Sequence, residues 1–140
     1  MAPLSIASVR RIAWFLGVLP VLAISVCIWS DRFIAADPAR VMTIGEAWSA
    51  GMIQGFFLLN FLLIVAAFGV WHLRSWARWV AFLWFPALAA NNIITEILHT
   101  NSVQAESWFN AVAISAIWIC GLYPSLASRQ ATAIFRGANA

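Results

Sequence analysis

The sequence contains no lysine, and only 9% of its 140 residues carry a formal charge. A water-exposed fold needs a charged, mixed-sign surface, so this scarcity argues against a soluble globular protein. Acidic residues are the rarest charges, with five carboxylates against eight arginines. Those arginines are scattered through short segments and form no basic stripe of the kind that phosphate backbones require, which excludes nucleic acid as a partner. Two cysteines are present, Cys27 and Cys120, without a Cys-x-x-Cys pair. Phosphate-binding glycine loops and nucleophile–base arrangements are also missing, so the expectation is a protein that is not an enzyme and holds no cofactor.

What the chain does contain is apolar sequence: 64% of its residues are hydrophobic. Four long stretches stand out, at 12–30, 47–73, 79–95 and 107–128. Each is long enough to cross a hydrocarbon core of about 30 Å as a helix rising about 1.5 Å per residue. The pattern predicts an all-α integral membrane protein, a single transmembrane domain over 1–140 with helices at about 12–30, 46–73, 78–98 and 106–127, followed by a cytoplasmic tail at 128–140. Short loops make sequential helices neighbours in an up-down bundle. The apolar run after Arg10 and Arg11 is longer than the core of a signal peptide and reads as helix one.

The charges sort by segment. Arg10, Arg11, Arg74, Arg78, Arg129 and Arg136 occupy the N-terminal segment, the middle loop and the tail, whereas Asp31, Asp37, Glu46, Glu96 and Glu106 occupy the first and third loops with Arg32 and Arg40. Arginine bias toward the cytoplasm then predicts a multi-pass protein of the inner membrane with both termini inside. Tryptophan supports the same boundaries, because indole prefers the headgroup region. Trp14, Trp71, Trp76 and Trp79 mark one side and Trp29, Trp48 and Trp108 the other. Trp84 and Trp118 fall inside helices, where each N–H needs a partner.

Residues 11–23 and 78–89 share an order of Arg, Phe-Leu, Pro and Leu-Ala, and Glu46-Ala-Trp48 matches Glu106-Ser-Trp108. These similarities suggest a tandem duplication of a helical hairpin as a parallel repeat. Cys27 and Cys120 differ in depth by roughly 15 Å, too far for a disulfide within one chain. His72 lies at the inner end of helix two and His99 at or beyond the outer end of helix three, so most of the bilayer separates them. Glu96-Ile-Leu-His99 has the spacing of a di-iron motif but occurs once, so no metal is expected.

The polar residues near the acidic loops are the candidate site. Asn92, Glu96 and His99 follow helical spacing beside Asn91, and Gln54 and Asn110 come to similar depth from neighbouring helices. Glu46 and Glu106 open helices, where carboxylates suit the dipole, and Thr43 with Glu46 forms a capping box. Glu96 instead lies near a helix C-terminus, so it is either paired with Arg32 or Arg40 or part of a ligand or proton site. Ala47, Gly51 and Gly55 form a small-residue face suited to close helix packing. Pro86 would bend the third helix below Asn91 and help open a polar pocket. The expected function is a non-enzymatic accessory or assembly subunit, in contact with membrane lipids and with another membrane protein or a second copy of itself. The alternative is a binder or transporter of a small amphiphile or lipid through an outer-leaflet pocket around Glu96.

Overall fold

The computed structural model describes residues 4–31, 33–34, 41–49, 51–100 and 105–137. The chain is helical, and four of its helices are long and apolar enough to span a membrane: Ile6–Ser30, Ile53–Trp71, Ser75–Leu98 and Ala105–Ala127. The elements in order are α1 (Ile6–Ser30), a two-stranded antiparallel hairpin of β1 (Phe33–Ile34) and β2 (Val41–Met42), α2 (Ile44–Ser49), α3 (Met52–Trp71), α4 (Ser75–Thr100), α5 (Ala105–Leu122), a π-helical turn (Tyr123–Ala127) and α6 (Arg129–Gly137).

Local chemistry moves several boundaries away from the apolar stretches. The Ser5 hydroxyl accepts from the Ser8 N–H at 3.2 Å, which starts α1 six residues before the apolar run and draws Arg10 and Arg11 into the helix. The second apolar stretch is not one helix but two. Gly51 adopts φ +76°, a left-handed conformation open to glycine, and breaks α2 from α3. At the far end of α3, Leu73 also turns left-handed at φ 56°, while its N–H donates to the Val70 carbonyl at 3.0 Å and the Arg74 N–H to the Gly69 carbonyl at 2.8 Å. This pair of bonds is a Schellman closure, with leucine where glycine is usual. Leu73 is buried, and burial worth about 1.5–3 kcal/mol for an aliphatic side chain outweighs the roughly 1–2 kcal/mol cost of that conformation. The helix α4 passes through Pro86 without interruption.

The tail is not an extended segment. Ser128 caps α6, its hydroxyl accepting from the Ala131 N–H at 3.2 Å. The resulting helix is amphipathic: Ala131 and Phe135 are buried, whereas Arg129, Gln130 and Arg136 are exposed.

Helix α3 lies between α1 and α4, and α5 packs on α4. Among the described residues α5 makes no comparable contact with α1 or α3, so the bundle is a row of sequential neighbours. It is drawn together at one end, where Val9, Leu16, Leu63, Val70, Ala77, Ala81, Leu126 and Phe135 form a single core from α1, α3, α4, the π turn and α6. This is the end bearing Arg10, Arg11, Arg74, Arg78, Arg129 and Arg136, here called the arginine end. Contact there is close, because a Cβ on Gly69 would fall 2.5 Å from that of Ala77. Among the described residues the opposite, carboxylate end has a smaller core of Cys27, Ala47 and Ile53.

Two tryptophans inside the spans find backbone acceptors. The Trp84 N–H donates to the Leu59 carbonyl at 2.8 Å and the Trp118 N–H to the Ala81 carbonyl at 3.1 Å, and the two rings meet at 5.3 Å. Each indole therefore ties its helix to the spanning helix before it and has its own N–H satisfied.

Candidate functional site

At the carboxylate end the chain turns from α1 through the hairpin into α2. Asp31 adopts a left-handed conformation at the end of α1, and its carboxylate accepts from the Ile44 N–H at 3.3 Å. The Thr43 N–H donates to Glu46 Oε2 at 2.8 Å and the Glu46 N–H donates to Thr43 Oγ1 at 3.2 Å, which completes the reciprocal capping box. The backbone donor of Thr43, and then its hydroxyl, hold the Glu46 carboxyl below its ordinary value. Glu46 therefore has a capping role at this position.

The adjacent asparagines on α4 meet different neighbours. Asn91 packs its amide directly against Gly55 of α3, and its carbonyl accepts from the Thr95 hydroxyl at 2.6 Å. Asn92, one position on, faces α5 instead. There it lines a cleft of about 210 Å³ with Ser107, Asn110, Phe85, Leu88 and Ile114. Glu96 is half-buried on α4 and is not among the residues lining that cleft. Arg32 and Arg40, the expected partners of Glu96, and the side chain of His99 lie outside the described residues. Gln54 is on α3, where its amide donates to the Trp48 carbonyl at 3.0 Å and bridges the break at Gly51. Of the six residues grouped by depth in the sequence, Asn92 and Asn110 share this cleft among the described side chains.

The small-residue face is also divided. Ala47 is buried against Cys27 and Ile53, and Gly55 receives Asn91, so both serve contacts within the chain. Gly51 is the exposed break point, with an open space where a side chain would stand apart from the tip of Gln54 at 4.0 Å.

Three polar features are found only in the structure. Asn60 is fully buried in the middle of α3, its amide donating to the Phe56 carbonyl at 2.8 Å. A lone asparagine within residues 56–71 was the available signal. Arg78 is only 9% exposed, and it donates to the Thr132 hydroxyl at 2.9 Å. Its guanidinium lies 5.1 Å from the Trp79 ring and 5.5 Å from Phe135, so the charge is held between two aromatic faces. Ser107 joins the Asn92 cleft from the first turn of α5.

The cysteines are unbridged, Cys27 buried and Cys120 exposed. The His72 ring lies against Phe68 at 4.4 Å. Among the described residues no three histidine, cysteine or carboxylate side chains come together as a metal site would require. In comparisons with protein families, curated proteins and solved structures, the chain matches none.

Proposed function

We propose that this protein is a non-enzymatic accessory or assembly subunit of a membrane complex, and that the α4–α5 cleft receives a polar side chain from a partner helix. The supporting observation is the convergence of Asn92, Ser107 and Asn110 in an open cleft between two apolar spans. An amide facing hydrocarbon without a partner costs free energy, and interhelical hydrogen bonds are the usual way in which membrane helices satisfy such groups. An incoming Asn, Gln, Ser or Thr fits both the size and the chemistry of the cleft. A second reading uses the same residues: the headgroup of a small amphiphile occupies the cleft, with Glu96 one turn further along α4.

The orientation belongs to the same proposal. All six arginines of the packed end would face the cytoplasm of the inner membrane, leaving both termini inside and the cleft toward the outer leaflet. Reporter fusions after Arg136 and within 37–45 should report opposite compartments. The hairpin duplication draws support from the pairing of α1 with α3 and α4 with α5, and from glutamate in the first turn of both α2 and α5. The break at Gly51 has no counterpart in α5, which runs unbroken from Ala105 to Leu122.

The test is the double variant Asn92→Leu/Asn110→Leu, purified by affinity in mild detergent with identification of co-purifying proteins and lipids. Loss of one protein from an otherwise stable preparation supports the subunit reading. Loss of an amphiphile instead supports the second. Recovery of the same partners and lipids as wild type would remove the cleft from both.

A further inference from the structure

The α1–α3 seam carries a second feature that the cleft at the other end does not explain. Along it runs an apolar groove of about 380 Å³ with Ala13, Gly17 and Ala67 as small lining residues and Trp14, Leu22 and Phe68 among the larger ones. Gly17 and Ala67 approach closely, at 3.6 Å from a Cβ built on the glycine, so the two helices touch and leave the groove open outward. Its lining on α1 spans residues 13–22, about 14 Å of helix, which matches the roughly 15 Å of a single leaflet of the hydrocarbon core.

The groove ends at the arginine end in a cationic and aromatic group. Trp71 is part of the lining, the Trp14 ring meets it edge-on at 6.3 Å, and the Arg10 guanidinium lies 5.3 Å above it. Among the described residues no protein acceptor engages Arg10 or the two indole N–H groups. Donors at headgroup depth above a chain-length apolar groove complement a phosphate and its ester carbonyls. The groove between α4 and α5 provides a contrast. It is similar in size, about 410 Å³, and is lined by Pro86, Ala90, Trp108, Val112 and Ile119, but among the described residues no guanidinium lies over its tryptophan as Arg10 lies over Trp71.

We propose that the α1–α3 groove is a binding site for an anionic phospholipid, with one acyl chain along Gly17 and the phosphate on Arg10. A zwitterionic lipid would place its own ammonium beside the same guanidinium and lose part of the attraction. The site needs a bilayer boundary at Arg10 but not a particular sidedness, so it stands or falls separately from the cytoplasmic orientation and from the α4–α5 cleft.

The experiment is native mass spectrometry of the full chain in detergent micelles with phosphatidylglycerol or phosphatidylcholine of matched acyl chains. Wild type should retain phosphatidylglycerol about fivefold more than phosphatidylcholine, the factor expected for a single surface arginine. Arg10→Gln, a change at an exposed position, should bring the two lipids to equal retention. Val18→Trp should fill the groove and reduce both, while Ala90→Trp in the α4–α5 groove should leave the preference intact. Equal retention by wild type overturns the proposal, as does a preference that survives Arg10→Gln. A dimer mass that falls with Val18→Trp in the absence of lipid adducts would assign the groove to a second copy of the chain and also overturn it.

Discussion

The two ends of this molecule use the same four spanning helices and reach opposite outcomes. At the arginine end small residues, Ala66, Ala67 and Gly69 on α3 and Ala77 and Ala81 on α4, let backbones approach until one continuous core forms, and α6 lays Phe135 into it. At the carboxylate end Gly55 receives the amide of Asn91 rather than another small residue, and the helices leave a polar cleft between α4 and α5. In a membrane, lipid tails are as apolar as leucine, so packing rather than hydrophobicity holds helices together. Close fit at one end helps to fix the bundle, and the other end is left free to carry polar groups.

The largest effect should come from removing the plug at the closed end. Phe135 is fully buried although it comes from the tail, and it also lies against the Arg78 guanidinium. Phe135→Ala should lower stability in detergent by about 3 kcal/mol or more, the range for deleting a buried aromatic ring. It should also speed tryptic cleavage after Arg129 as α6 detaches. Trp108 is half exposed at the other end, and Trp108→Ala should leave stability within about 0.5 kcal/mol. Equal losses from the two substitutions would mean that the ends are not differently packed.

A glycine at each end sharpens the contrast. Adding a methyl group at Gly69 places it against Ala77, whose Cβ cannot move without the helix, so Gly69→Ala should cost about 2 kcal/mol. At Gly55 the same methyl meets the amide of Asn91, a side chain that can rotate away. The gain in helix propensity, about 1 kcal/mol, should then bring Gly55→Ala close to neutral. Thermal melts of the two variants in one detergent make the comparison directly. A larger loss at Gly55 would show that Asn91 is locked in place.

Much of the frame could be read from the sequence, and the reasons for the exceptions are local. Hydropathy gave the four spans, because a run of apolar residues has no other stable place in a membrane protein. The break at Gly51 was hidden, since a glycine in an apolar stretch reads equally as a packing position or a hinge until its backbone is known. Helix α6 was hidden for a different reason: Ala131, Ile134 and Phe135 follow helical spacing, but the segment is too short and polar to register as a span. At the candidate site the sequence did not reveal which way each side chain faces. Asn91 and Asn92 are adjacent, and the helical turn of about 100° between them sends one to Gly55 and the other to the cleft. The Thr43–Glu46 box was legible in full, because both bonds depend only on local spacing.

The smallest effect should come from that box, and it depends on pH. The Thr43 N–H and hydroxyl favour the ionised form of Glu46, so its carboxyl lies below the ordinary value in the folded chain. A group held low contributes stability that is fully present above its unfolded value and is lost as the pH falls through the folded one. Wild type should therefore lose this contribution on acidification below the ordinary carboxylate range. Glu46→Gln should lack that part of the pH dependence, because an amide neither titrates nor attracts the donor as strongly. Thr43→Ala removes the hydroxyl but keeps the backbone N–H, so it should weaken the dependence without abolishing it, and the two changes should be non-additive. Melting curves of the three variants from neutral to acidic pH give the result. Parallel curves for Glu46→Gln and wild type would show that the box is too exposed to influence the carboxylate end, leaving Asp31 and the hairpin to hold the start of α2.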